Sequence, residues 1–389
     1  LGYGRDNKVK DMLTTNPAGK MERTTMLEDQ TDQLRPPPSV IRKILTLDPR
    51  RVEFRIRGFD LAEKSHEERL ESIGKTFLRG YNLILSARSL AEFEQAMAQE
   101  PALLRGFFIE GGAMGSALVD SLPFRQPMLG KFRARFEKRY PLLVHAGTGL
   151  AMSKLSWREK AIVGALDPFY RWLAYDGMGY HNVYFQQEKT LNSPKRILAG
   201  YASQAYDQGV GRGIWFVSGA DIGKAAALVD GMAADRRADI WSGIGLATCY
   251  AGPADENIFL EGYQRAGKHG EWFAQGIAFA CSARMKDQSM PETISEAIKT
   301  LWGMEPEALA ALVEELRQSN ADGPRADHPR YEAWRHSVAE AFVQSITERT
   351  RGDGEGIFFP QEEEQESVSR SAGEESSERH GAVGQTLLP

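Results

Sequence analysis

The chain has 389 residues, 42% of them hydrophobic and 26% charged, with a formal net charge of −5. That length can bury a large core, and the acidic balance argues against a nucleic-acid partner, whose phosphates need a basic excess or patch. The two cysteines, Cys249 and Cys281, sit in apolar segments and fit a reducing cytoplasm.

Residues 1–45 are polar and irregular and include Pro36-Pro37-Pro38, which predicts a flexible arm outside the fold. The chain opens on Leu1, which leaves Met21 and Met26 as candidate native starts. Val52, Phe54 and Ile56 then alternate with Glu53, Arg55 and Arg57, the period of a half-buried strand. At most one short strand pair is expected, at this end of the chain. Ser65 and Glu68 have capping-box spacing, and Leu70, Ile73, Phe77 and Leu78 follow at helical intervals, so a helix is expected from His66 toward Tyr81.

Helical patterns continue at 88–99, 101–120, 127–139, 141–156, 168–185, 193–217, 221–233, 236–251, 255–267, 270–286, 291–303, 305–319 and 328–350. Breaks fall at Gly219-Ala220-Asp221, Ala251-Gly252-Pro253 and Gly303 to Pro306. The most hydrophobic stretch, Ala102 to Leu122, carries Arg105, Glu110 and Asp120, too polar for a membrane span. Beyond Gly352, Gly, Ser and Glu dominate, which predicts a disordered acidic tail over 351–389 and a folded domain over 46–350.

Within that domain a small-x-small pattern returns at intervals of about 33 residues, the signature of a repeat array. The copies are Ala113-Met114-Gly115, Gly147-Thr148-Gly149, Gly177-Met178-Gly179, Gly209-Val210-Gly211, Gly243-Ile244-Gly245 and Gly276-Ile277-Ala278. Four residues after each first member stand Ala117, Ala151, His181, Gly213, Ala247 and Ala280, on the same helix face. Glycine inside a helix costs roughly 1 kcal/mol relative to alanine, so its recurrence implies close backbone packing. The expected fold is all-α, an αα-hairpin repeat array of about six units, either an open solenoid or a closed α/α toroid.

Aligned on the first small residue, the preceding position reads Gly112, Ala146, Asp176, Gln208, Ser242 and Gln275, and the position four later reads Ser116, Leu150, Tyr180, Arg212, Leu246 and Phe279. Unpaired polar groups in an interior cost roughly 1 to 3 kcal/mol each, so this mixed face is either a hydrogen-bonded network or a cavity lining. Asp176 is the sharpest candidate for an acid, base or charge stabiliser. Its competing reading is an ion pair with Arg171 or Arg212. His181 occupies a slot that is small in the other copies; Arg212, Asp207 and Asp239 form a second tier. The candidate catalytic set is Asp176, His181, Arg212 and Asp239. Tyr180, Gln208, Trp215, Trp241, Ser242 and Gln275 are the candidate substrate-binding set, in which aromatics including Trp172 suit cationic character.

The chain has no Gly-x-x-x-x-Gly-Lys-Ser/Thr loop, His-Glu-x-x-His helix, Cys-x-x-Cys pair or Gly-x-Ser-x-Gly elbow. The sequence therefore points to no metal, nucleotide or flavin cofactor. The segments Leu166 to Asn182, Asp207 to Phe216 and Arg237 to Gly245, with Arg57-Gly58-Phe59, resemble a bacterial domain-of-unknown-function family, numbered 1702. Its members are similar to proteins of enediyne and related natural-product gene clusters, and the likeness runs from about Val52 to Thr350. The resemblance implies specialised-metabolite biosynthesis, with part of the family associated with a ring-closing carbon-carbon bond. Asp176, His181, Arg212, Asp239 and Trp241 stand inside the matching motifs.

The leading expectation is a cytoplasmic, cofactor-independent cyclase acting on a hydrophobic polyketide intermediate. An isoprenoid cyclase lacking the usual aspartate clusters is the first alternative. The second is a non-catalytic helical repeat protein that binds a synthase or an intermediate.

Overall fold

In the computed structural model, which describes residues 32–353 apart from 60–62, 123–126, 194–195, 253–255 and 322–328, the fold is all-α. Among the described residues the only pairing of extended backbone is an isolated bridge between Gln33 and Ser89. The helices run α1 (Ser39–Leu45), α2 (Phe54–Arg57), α3 (Lys64–Ile84), α4 (Leu90–Gln99), α5 (Arg105–Asp120), α6 (Met128–Phe136), α7 (Pro141–Met152), α8 (Glu159–Gly164) and α9 (Leu173–Phe185). The chain continues through α10 (Gln187–Leu191), α11 (Tyr201–Val217), α12 (Ile222–Asp230), α13 (Arg237–Ala251), α14 (Glu256–Ala266), α15 (Gly270–Asp287), α16 (Glu292–Trp302), α17 (Pro306–Ala321) and α18 (Arg330–Asp353).

The apolar, glycine-bearing helices α5, α7, α9, α11, α13 and α15 are almost wholly buried, and each packs on the next in chain order. Helix α3 packs on α5 in the same way. Short amphipathic helices lie between them in sequence, started by local caps where the sequence supplies one. Ser89 accepts from the Glu92 backbone N–H at α4, and Asp221 from that of Lys224 at α12.

Small-x-small is the contact rule of the interior. A Cβ placed on Gly177, Gly209, Gly243 or Gly276 would lie inside 3.0 Å of a carbonyl oxygen on the preceding inner helix, that of Ala146, Asp176, Gln208 and Ser242 respectively. A Cβ on Gly149, Gly179, Gly211 or Gly245 would strike the following inner helix instead, at the carbonyls of Ala174, Tyr206, Ile240 and Phe273. Two residues along a helix are about 200° apart, so small residues at i and i+2 face opposite neighbours. One backbone can then touch both. The position at i+4 reinforces the first contact, as Gly213 does against Val183.

The same rule corrects the alignment of the first copy. Gly147 meets the Glu110 carbonyl and Gly111 meets that of Phe77, so in α5 the pair equivalent to Gly177 and Gly179 is Gly111 and Ala113. Gly80 meets the Phe108 carbonyl and extends the register back to α3.

Several boundaries differ from the sequence expectation. Residues 49–52 and 54–57 are helical rather than a strand, because Asp48 accepts from the Arg50 N–H, Pro49 opens a 3-10 turn and Gly58, at φ 68°, closes α2. Val52 and Phe54 are buried while Ile56 is exposed, so the alternation did not mark one face. Helix α3 starts at Lys64 with Glu63 as N-cap and no side-chain cap, so Ser65 and Glu68 form no capping box. The end of the expected arm is held: Leu34 is buried, its N–H donates to Arg88 O, and Asp32 Oδ1 accepts from the Ala91 N–H. Residues 354–389, most of the expected tail, and both candidate starts lie outside the described residues. One helix, Ala102–Asp120, is long and apolar enough to cross a membrane, but 78% of it is buried inside the protein, as in a core helix.

Two alanine substitutions test the contact rule. Gly243→Ala pushes a methyl group into the Gln208 carbonyl and should lower stability by about 3 kcal/mol or more, at or above the roughly 1 to 3 kcal/mol usual for overpacking. Gly130→Ala, in α6 with open space at its Cβ, should raise stability by about 0.5 to 1 kcal/mol in the same urea titration.

Candidate functional site

The corrected register puts Glu110, Ala146, Asp176, Gln208, Ser242 and Gln275 at equivalent positions on successive inner helices, each just before a glycine that touches its neighbour. All six are buried. A polar side chain at this position cannot reach bulk water and must find its partner across the interior.

The partner for two of them is Arg212, one turn beyond Gln208 on α11. Its Nη2 donates to Glu110 Oε1 at 2.9 Å, and its Nη1 donates to Asp176 Oδ1. The guanidinium also stands over the Tyr180 ring, 5.1 Å from the centroid. Helices α5, α9 and α11 therefore meet at one buried cation. Asp176 Oδ2 is buried with no hydrogen-bond partner among the described residues. Burial raises the Asp176 and Glu110 pKa values despite Arg212, while the two carboxylates keep Arg212 protonated. Two carboxylates beside one guanidinium carry more negative than positive charge, and burial of that surplus disfavours ionising both.

Asp176 and Arg212 line a cavity of about 30 Å³, walled otherwise by Leu142, Leu143, Ala146, Leu173, Leu246, Tyr250, Ala280 and Ala283. That is room for about two water molecules. A second cavity, of about 20 Å³, shares Leu142, Leu143 and Ala283 with the first and is lined also by Tyr170, Phe279 and Trp334. The chemistry available at Asp176 is that of a carboxyl group, half satisfied by an arginine, on the wall of an apolar space.

The remaining candidates lie elsewhere. Ser242 Oγ donates to Gln275 Oε1 at 2.7 Å, and Gln208 Oε1 accepts from Tyr331 OH at 3.5 Å. None of the three lines either of these two cavities, whereas Asp176 and Arg212 line one together. His181 is buried against Phe185, with ring centroids 4.7 Å apart, and its Nδ1 lies 3.4 Å from Asn182 Oδ1. Burial, with Lys154 nearby, lowers its pKa to about 4, so its imidazole is neutral at pH 7. Trp215 Nε1–H donates to Gly252 O within the core, and Trp241 packs edge-on against Phe273.

Asp239 belongs to a second buried network. Its Oδ1 accepts from Arg335 Nη1 at 3.0 Å and its Oδ2 from Arg196 Nη2 at 3.2 Å; Arg335 also pairs with Glu332. Asp207 pairs with Arg236, which is equally buried. This network docks α18 onto α13, across 96 residues of sequence.

Glu110, Arg335, Glu332 and Tyr331 are the buried functional groups that sequence reasoning missed. A signal for Glu110 was present, a lone carboxylate in the middle of an apolar helix, but it served there only to exclude a membrane span. For Arg335 the local signal is the i,i+3 spacing from Glu332, but its pairing with Asp239 on α13 has no local pattern.

The family model described as a protein of unknown function, DUF1702, matches residues 38–342, and the chain belongs to that family. No curated protein and no solved structure matches the chain.

The raised carboxyl pKa values make stability pH-dependent with a definite sign. Because folding raises the carboxyl pKa, the folded state holds more protons than the unfolded chain once pH exceeds the ordinary carboxylate range, and stability falls as pH rises. Asp176→Asn leaves Glu110 paired with Arg212 and removes that contribution. Urea melts from acid to neutral pH should show the variant gaining on the wild type as pH rises. Parallel curves would refute a raised Asp176 pKa.

Proposed function

We propose that this chain is a specialised-metabolite biosynthesis enzyme, a cofactor-independent cyclase that forms a carbon-carbon bond in an apolar polyketide intermediate of the enediyne type. The single observation that carries the proposal is the free oxygen of Asp176, a carboxyl held beside Arg212 on the wall of an apolar cavity. Asp176 in its protonated form would donate to an oxygen or alkene of the substrate. A second carbon of the same chain then attacks the activated carbon, and the carboxylate recovers a proton from the product. The step is an isomerisation, and needs no electron acceptor.

Arg212 would steady the Asp176 carboxylate left when the proton departs. Fixing two reacting carbons in near-attack geometry can supply roughly 7 to 11 kcal/mol of a barrier, with one acid completing the chemistry. The cavity admits a reacting end rather than a whole substrate, so binding requires Leu142, Leu143 or their neighbours to move. The recurring glycine-to-carbonyl register supports the finer architectural reading of an αα-hairpin array of about six units.

A second reading, a non-catalytic helical repeat protein that binds a synthase or an intermediate, is favoured by the direct Ser242–Gln275 hydrogen bond and by the small cavity. Asp176→Asn separates the two. Asn keeps the shape and cannot donate an acidic proton, so turnover of a candidate polyketide intermediate should fall about 10²-fold or more while the protein stays folded. Unchanged turnover would remove Asp176 from the mechanism. Release of diphosphate from an isoprenyl diphosphate would move the assignment to an isoprenoid cyclase.

A further inference from the structure

The segment from α1 to α2 lies along α3 and over the C-terminal end of α9. Tyr81 OH donates to Leu45 O, the Leu47 N–H donates to Asn82 Oδ1, and the Phe54 N–H donates to Glu71 Oε1. On its far side, Arg57 Nη2 donates to Tyr184 O and Tyr184 OH donates to Val52 O. Arg57 and Lys154, the latter just past the end of α7, both stand over the Phe185 ring, at 4.7 and 5.8 Å. The turn after α7 therefore joins the same face.

The segment and the turn expose both cationic and apolar side chains. Val40 is 70% exposed, Ile44 76%, Ile56 53% and Trp157 74%. Val40 and Ile44 are one turn apart on α1. Around them Lys43, Arg50, Arg51, Arg55 and Lys154 are exposed, with Arg42 and Arg57 partly so. The acidic groups on the segment are Asp48, which pairs with Arg50, and Glu53. Arg51 and Arg57 crowd Lys154 closely enough to add to burial in lowering its pKa. In a chain of net charge −5, such a concentration of cations is local rather than general.

We propose that this face, built from α1, α2 and the turn carrying Lys154 and Trp157, seats the protein on an anionic lipid bilayer. Exposed aliphatic side chains and a tryptophan suit the boundary between headgroups and acyl chains, and the flanking cations suit anionic headgroups. The acidic remainder of the molecule is repelled by the same surface, which fixes the orientation. The proposal is independent of the reaction assigned to Asp176.

The test is sedimentation of the full chain with vesicles of phosphatidylcholine alone and of phosphatidylcholine mixed with phosphatidylglycerol. Binding should be confined to the mixed vesicles and be lost at high salt. Arg51→Gln and Lys154→Gln should each lower partitioning about fivefold, and Trp157→Ser should lower it further, with unchanged circular dichroism and melting. A wild type that ignores the mixed vesicles at low salt, or charge variants that bind as well as it does, would overturn the proposal. So would a chain that binds polyglutamate and no vesicle, the behaviour of a site for an acidic protein.

Discussion

Backbone contact between neighbouring inner helices is the constraint on which the rest of this structure depends. Each inner helix from α7 to α13 offers one glycine to the helix before it and another, two residues on, to the helix after it. Nothing larger than hydrogen fits at either position, so the spacing between helices is set by main chain rather than by side chains. Interiors are packed to crystal-like density, and a close backbone approach leaves little space to fill. The cavities beside Asp176 are correspondingly small.

The same constraint decides which side chains face inward. The residue before each first glycine contributes the carbonyl that the next glycine touches, and it is buried along the whole series. Where it is Ala146 nothing more is required. Where it is Ser242 or Gln275 the two hydrogen-bond to each other, and Gln275 Nε2 is left without a partner among the described residues. Where it is Glu110 and Asp176 both pair with Arg212, and one cation is shared between two acids. Replacing that cation would cost roughly 3 to 5 kcal/mol, because buried charges would lose their counter-ion. A group of this kind adds little to stability against an apolar alternative, and a carboxyl with a raised pKa in an apolar setting is the sort of group an enzyme uses as an acid.

Much of the helix order was legible because glycine inside an apolar helix is costly and therefore meaningful, and the small-x-small segments from Gly147 to Ala278 fall on successive packed helices. The reason for the two-residue spacing was not legible. It lies in the contacts of one helix with two neighbours, which a single helix does not show. The copy read at Ala113 to Gly115 is displaced by two residues because α5 is rich in small residues, and only the Gly111 and Gly147 contacts fix its register. That displacement hid Glu110. The competing reading of Asp176 as an ion-pair partner proved correct for Arg212, while Arg171 lies over Trp172 instead. Alternation at Val52 to Ile56 misled because a run of five residues is too short to separate a strand from two short helical turns.

Burial of Glu110 and Asp176 beside the Arg212 guanidinium favours the protonated form of one carboxyl. Infrared spectroscopy tests it directly, since a protonated carboxyl has a C=O stretch distinct from that of a carboxylate. With aspartate and glutamate isotopically labelled, the protonated-carboxyl band of the wild type at pH 7 should lose intensity in both Asp176→Asn and Glu110→Gln, because either change leaves a single carboxylate matched to Arg212. A wild type with no such band, or a band undiminished in both variants, would contradict it.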